Sequence, residues 1–133
     1  MHLDEQQVAA NWQALINIID TEFDGERKVK LTELYTFFQD RMMVMPASSF
    51  EHYHNCFAGG YVDHILRVVN IASANYEMWK TMGSECTGYS KEELIFAALN
   101  HDLGKVGTRE FEMYRPNPSE WHRKNQGKIY EIN

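Results

Sequence analysis

Apolar positions recur at steps of three and four along most of this chain, the spacing that lines one face of an α-helix. Val8, Trp12, Leu15, Ile16 and Ile19 form one such stripe, so a first helix is expected from a cap at Asp4 to about Phe23, ended by Asp24-Gly25. A second helix is expected from about Arg27 to Arg41, with Val29, Leu31, Leu34, Tyr35 and Phe38 apolar. The pattern breaks at proline in Met42-Met43-Val44-Met45-Pro46-Ala47-Ser48-Ser49, where the methionines read as flexible core filling or as a soft binding surface. It returns from Tyr61 to about Met82, with Ile65, Val68, Val69, Ala72 and Tyr76 apolar. Gly83 to Tyr89 reads as a linker. Ser90-Lys91-Glu92-Glu93 has the spacing of a capping box and starts a helix through the apolar run Leu94 to Leu99, with Gly104 as its terminator. After Lys105 the periodicity lapses. Arg115-Pro116-Asn117-Pro118-Ser119 is turn chemistry, and Phe111 and Met113 before it, with Ile129, Tyr130 and Ile132 after it, suit a short β-hairpin or extended arms. The expected fold is all-α, in one domain spanning residues 1–133.

Composition narrows the function classes. Apolar residues make up 44% and charged residues 24%, the balance of a soluble globular chain. The net charge of −6 argues against a broad nucleic-acid or anionic-membrane surface, while leaving room for a local basic pocket. Cys56 and Cys86 lack metal-type spacing and are too few for a disulfide scaffold, so a reduced, cytoplasmic setting is expected. No apolar run approaches the roughly 18 residues of a membrane span, and Met1-His2-Leu3-Asp4-Glu5 lacks the basic start of a signal peptide.

The chemistry concentrates in Asn100-His101-Asp102-Leu103-Gly104-Lys105, at the end of the last predicted helix. Imidazole beside carboxylate suits a divalent metal that accepts both nitrogen and oxygen. His64 lies on the apolar face of the preceding helix with Val68, either as a hydrogen-bonded core residue or as a further ligand. A metal on His64, His101 and Asp102 would lower the pKa of a bound water towards about 7. Lys105 either holds a phosphate oxygen or serves as a cation at a helix C-terminus. Glu51-His52-Tyr53-His54-Asn55-Cys56-Phe57-Ala58-Gly59-Gly60 is a loop whose glycine pair permits close approach of backbone to backbone or ligand.

Gly59-Gly60-Tyr61-Val62-Asp63-His64 together with Asn100-His101-Asp102-Leu103-Gly104-Lys105 resembles the HD superfamily of metal-dependent phosphohydrolases. The likeness runs from about Pro46 to Lys105, and the segment from His52 to His64 looks most like hydrolases of bacteria and their phages, including an exoribonuclease group. It implies an HD-like helical bundle, a metal on His64, His101 and Asp102, and hydrolysis of a phosphoester. Manganese, iron, nickel, magnesium or zinc would be the cofactor, and a nucleotide or nucleic-acid end the substrate, with no membrane partner. Catalytic roles fall on Asp102 and Lys105, and substrate contacts on Lys105, His54 and Arg67, the last reading equally as a solvated arginine. His122 matches an extra metal histidine of some two-metal members, or is a surface residue beside Trp121. The basic aromatic run Trp121-His122-Arg123-Lys124 reads as a solvated loop.

The chain departs from the family in one respect. The superfamily completes its site with a later aspartate, whereas no aspartate follows Asp102 here; Glu110, Glu112, Glu120 and Glu131 are the remaining carboxylates. The expectation is a shortened or split member whose site is open on one side. Surface left by missing helices would then favour a homodimer. The alternative is a catalytically incomplete regulatory module that keeps a nucleotide or metal pocket.

Overall fold

The first helix, α1 (Glu5–Glu22), starts at the predicted cap: the Asp4 carboxylate accepts the Gln7 N–H while the Gln7 side chain accepts the Asp4 N–H. The computed structural model describes residues 2–84 and 88–133, so Cys86 and the centre of the expected 83–89 linker lie outside the described residues. The expected second helix is divided into α2 (Gly25–Phe37) and α3 (Gln39–Val44). Phe38 leaves helical geometry at φ −99° and ψ 9°, and its ring meets that of Phe37 edge to face at 4.8 Å. Two adjacent aromatics cannot share one helix face; here Phe37 stays exposed while Phe38 packs on the core, and the bend turns Met42 and Met45 inward.

Helices α4 (Gly60–Thr81) and α5 (Lys91–Asn100) complete the bundle, α5 opening on the predicted Ser90–Glu93 capping box. One apolar cluster joins Leu15, Ile19 and Phe23 of the α1 region, Tyr35 of α2, Met42 of α3, Ile65 and Val69 of α4, and Ile95 and Leu99 of α5. The glycine pair before α4 serves a backbone-to-backbone approach. Gly59 has φ 80°, and a Cβ on Gly60 would collide with the Asn55 carbonyl. This clasp folds the loop from Pro46 to Gly59 across the start of α4, and the Ala47 N–H donates to the Asn55 carbonyl at 3.0 Å.

Gly104 is not the terminator that its position suggests. Helix α5 ends at Asn100, and Gly104 lies inside a following 3-10 turn, Leu103–Val106. The reversal falls on Gly107, at φ 87°, where a Cβ would run into the Phe111 carbonyl.

The expected hairpin forms as β1 (Tyr114–Pro116) antiparallel to β2 (Tyr130–Ile132), with Tyr114 opposite Ile132 and Pro116 opposite Tyr130. Phe111 and Met113 precede β1 rather than belonging to it. Between the strands, where a solvated loop is expected, stands a short helix α6 (Glu120–Gln126), capped by the Ser119 hydroxyl, which accepts the His122 N–H. It buries no residue, so no apolar period marks it. The hairpin docks on the loop before α4: the Tyr130 N–H donates to the Ser49 carbonyl at 3.1 Å and the Glu51 N–H to the Gly127 carbonyl at 2.7 Å. The chain is mostly helical, and its one described sheet has two strands. Among the described residues, no helix is long and apolar enough to cross a membrane.

Candidate metal centre

His64, His101 and Asp102 come from different turns of the bundle and converge. His64 Nε2 is 3.1 Å from His101 Nε2 and 3.3 Å from Asp102 Oδ2, and His101 Nε2 is 3.4 Å from the same carboxylate oxygen. His64 arrives from the second turn of α4, and His101 and Asp102 from the end of α5. The end of α5 is itself anchored, because the buried Tyr35 hydroxyl meets the Leu99 carbonyl at 3.1 Å and the Asn100 side-chain oxygen at 3.3 Å.

His101 is oriented by its other ring nitrogen. Nδ1 lies 2.7 Å from the Ala98 carbonyl, a group that only accepts, so Nδ1 carries the proton and Nε2 presents its lone pair to the cluster. Ligands held at about 2.0–2.2 Å on one cation, at octahedral to tetrahedral angles, stand roughly 2.8–3.6 Å apart. The three separations fall inside that window. His54 adds to them: its ring lies 4.6 Å from that of His64, and ligand atoms of His54, His64 and Asp102 all lie within 4.8 Å of one another. This His/His/Asp group could hold a metal ion.

The electrostatics match that donor set. Burial, the charge of His54 and those of His101 and Lys105 hold His64 below the ordinary histidine value, against the opposing pull of Asp102, so its imidazole is neutral near pH 7. Burial works to raise the Asp102 carboxyl, but the Lys105 hydrogen bond and charge, with His101 and His64, outweigh it and keep the group ionised. Lys105 Nζ donates to Asp102 Oδ2 at 2.7 Å and to the Ala47 carbonyl at 3.0 Å. The lysine expected to meet substrate is thus first a brace between the carboxylate and the loop before α4.

The other predicted residues are placed less centrally. Arg67 forms an ion pair with Asp63 at 2.9 Å, and Asp63 also accepts from the Asn55 side chain. His122 sits exposed on α6 with its ring 5.3 Å from that of Trp121, outside the group around Asp102. Of the carboxylates that could stand for a later aspartate, Glu120 pairs with Lys124 and Glu131 with Arg115, and none of the four joins the ligand group among the described residues.

Sequence reasoning misses Tyr61 and Tyr114. The Tyr61 hydroxyl is buried with no hydrogen-bond partner among the described residues, and burial, then Asp102, raise its pKa. Burial raises the Tyr114 phenol too, with Asp102 as its next influence. Tyr61 lies inside the quoted glycine–histidine motif but carries no assigned role there, and no period or motif marks Tyr114. No family model matches this chain, and neither does any curated protein or solved structure.

Proposed function

We propose that this chain is a divalent-metal-dependent phosphohydrolase with an HD-like bundle, acting on a phosphoester such as a nucleotide or nucleic-acid end. One observation carries the reading: His64, His101 and Asp102 bring three ligand atoms to mutual separations of 3.1–3.4 Å, with the His101 proton held on the far side of its ring. His64, His101 and Asp102 would hold the ion, with His54 beside His64, and imidazoles with one carboxylate suit manganese, iron, nickel or zinc better than magnesium. Such an ion supplies charge that polarises a phosphoryl oxygen and a water acidic enough to attack near neutral pH. In the overall reaction the water oxygen bonds to phosphorus, the ester P–O bond breaks, and the leaving oxygen gains a proton.

The chain's own groups prepare that chemistry. Neutral His64 keeps its lone pair available, and Asp102 remains anionic. Two of the three Lys105 N–H groups are engaged, leaving one for a phosphoryl oxygen. Support for the bundle comes from the helical architecture and from the two motifs meeting between α4 and the end of α5.

The test is metal content by elemental mass spectrometry, on protein purified without chelator or metal-affinity resin. Wild type is expected to hold about one equivalent of a transition metal, and His64→Ala and Asp102→Ala to hold none. Wild type that stays empty after incubation with manganese, iron, nickel or zinc would overturn the proposal. Metal without turnover of any phosphoester in a panel would leave a binding module in its place.

A further inference from the structure

Beside Lys105, between the end of α3 and the hairpin, lies a cavity of about 520 Å³, a volume typical of small-molecule sites. Met45 from the α3 end and Met113, Tyr114 and Tyr130 from the hairpin side give it apolar and aromatic walls. Lys105 belongs to both this lining and the ligand cluster, since its ammonium is 2.7 Å from Asp102 Oδ2. Lys105 thus links the cavity to the candidate metal centre, whose ligands do not themselves line it. Its wall is also fixed in place: the Arg41 guanidinium donates to the carbonyls of Val106 at 2.9 Å and Thr108 at 2.6 Å, pinning the segment that leads into β1.

The charges on the lining select the occupant. Its cations are Lys105 and Arg41, both already engaged, and its anions are Asp40 and Glu112. One phosphate can be met at the Lys105 end by the metal centre. A second would meet the carboxylates of Asp40 and Glu112, with Arg41 Nη1 turned to the carbonyls of Val106 and Thr108. Flat or apolar groups, by contrast, gain from tyrosine faces and methionine side chains.

We infer that this cavity seats the organic body of the substrate, which is a small phosphate ester bearing one flat apolar or aromatic group rather than a polyphosphate or a continuing nucleic-acid strand. The inference rests on the phosphohydrolase reading for the phosphate end, and on the cavity for the rest.

Phenylphosphonate, which has no ester bond to hydrolyse, isolates the ring, with methylphosphonate as the ringless control. Both are titrated calorimetrically into the full chain, with and without zinc. Phenylphosphonate is expected to bind about tenfold tighter or more, the effect of taking one ring out of water. Ala58→Trp places bulk on an exposed position of the cavity lining; it is expected to erase that preference while leaving methylphosphonate affinity and zinc content unchanged. Benzene-1,4-diphosphonate is expected to bind more weakly than phenylphosphonate. Equal affinities for the ring-bearing and ringless probes in wild type, or a preference that survives Ala58→Trp, would overturn the inference, and tighter binding of the diphosphonate would overturn its exclusion of a second anionic group. The two readings fail separately. A chain that takes up none of manganese, iron, nickel or zinc strikes the phosphohydrolase reading, whereas a metal-binding chain that treats both probes alike strikes the cavity.

Discussion

Leu15, Phe23, Tyr35, Ile65 and Leu99 in the helical core are withdrawn from water, while α6, between the hairpin strands, buries no side chain at all. The hairpin segment is instead held by polar groups. Asn117, the one buried residue of positions 111–133, donates its backbone N–H to the Ile129 carbonyl and its side-chain amide to the Lys128 carbonyl, each at 2.9 Å, and its side-chain oxygen accepts the Ser119 N–H. Apolar burial is non-directional and sums over the whole core, so it makes the bundle one cooperative unit. Hydrogen bonds each contribute only about 0.5–1.5 kcal/mol net, so an element held by them opens alone more readily. The candidate site lies at the seam: three of its ligands stand on the bundle, and His54 stands on the loop that the hairpin clamps.

The largest effect should come from the core. Leu99→Ala removes a side chain with no solvent exposure and is expected to cost about 2–5 kcal/mol, read as a lower denaturation midpoint for bundle and hairpin together. Separate transitions would break the comparison, showing that the hairpin does not depend on the core beneath it. A smaller and local effect is expected from Asn117→Ala, which takes their side-chain partner from the Lys128 carbonyl and the Ser119 N–H at a cost of about 1–3 kcal/mol. Hydrogen exchange should then speed at the Tyr130 amide and not at core amides such as Leu99. Uniform acceleration would mean that the hairpin is part of the cooperative core.

The smallest effect is a pH dependence at the seam, measured in chelator. His64 is held below its unfolded value, so the unfolded chain takes up its proton first and stability falls as pH drops through about 6.5 towards the folded value. Asp102 is also depressed, so the stability that it contributes above its unfolded value of about 3.9 is lost as pH falls through the lower folded value. Both groups act in the same direction, and acidification destabilises. Denaturation midpoints between pH 7 and pH 5 should fall more steeply in wild type than in His64→Gln, and parallel slopes would remove His64 from the account.

Much of the helical frame is legible along the chain because its signals are local. Asp4 with Gln7 and Ser90 with Glu93 each close a box within three residues, and both helices begin there. The bend at Phe38 is less legible, since an apolar stripe continues through it and only packing against the core distinguishes Phe37 from Phe38. Gly104 misleads for a related reason: composition marks a glycine, but the left-handed φ that requires one is at Gly107. Helix α6 leaves only the weak trace of Ser119, because a helix without a buried face has no apolar period to read.

The amino-acid sequence by itself determined where most helices start, and that an imidazole and a carboxylate stand together at the end of α5. Only the tertiary structure decided what faces that pair. It brings His64 to His101 across 37 residues, turns Lys105 to the Ala47 carbonyl across 58, and sets the His54 ring 4.6 Å from that of His64. Caps and periods arise within a turn or two of backbone, whereas these meetings depend on how the bundle packs and on a glycine clasp that folds one loop over α4. Spacing along the chain does not encode that geometry.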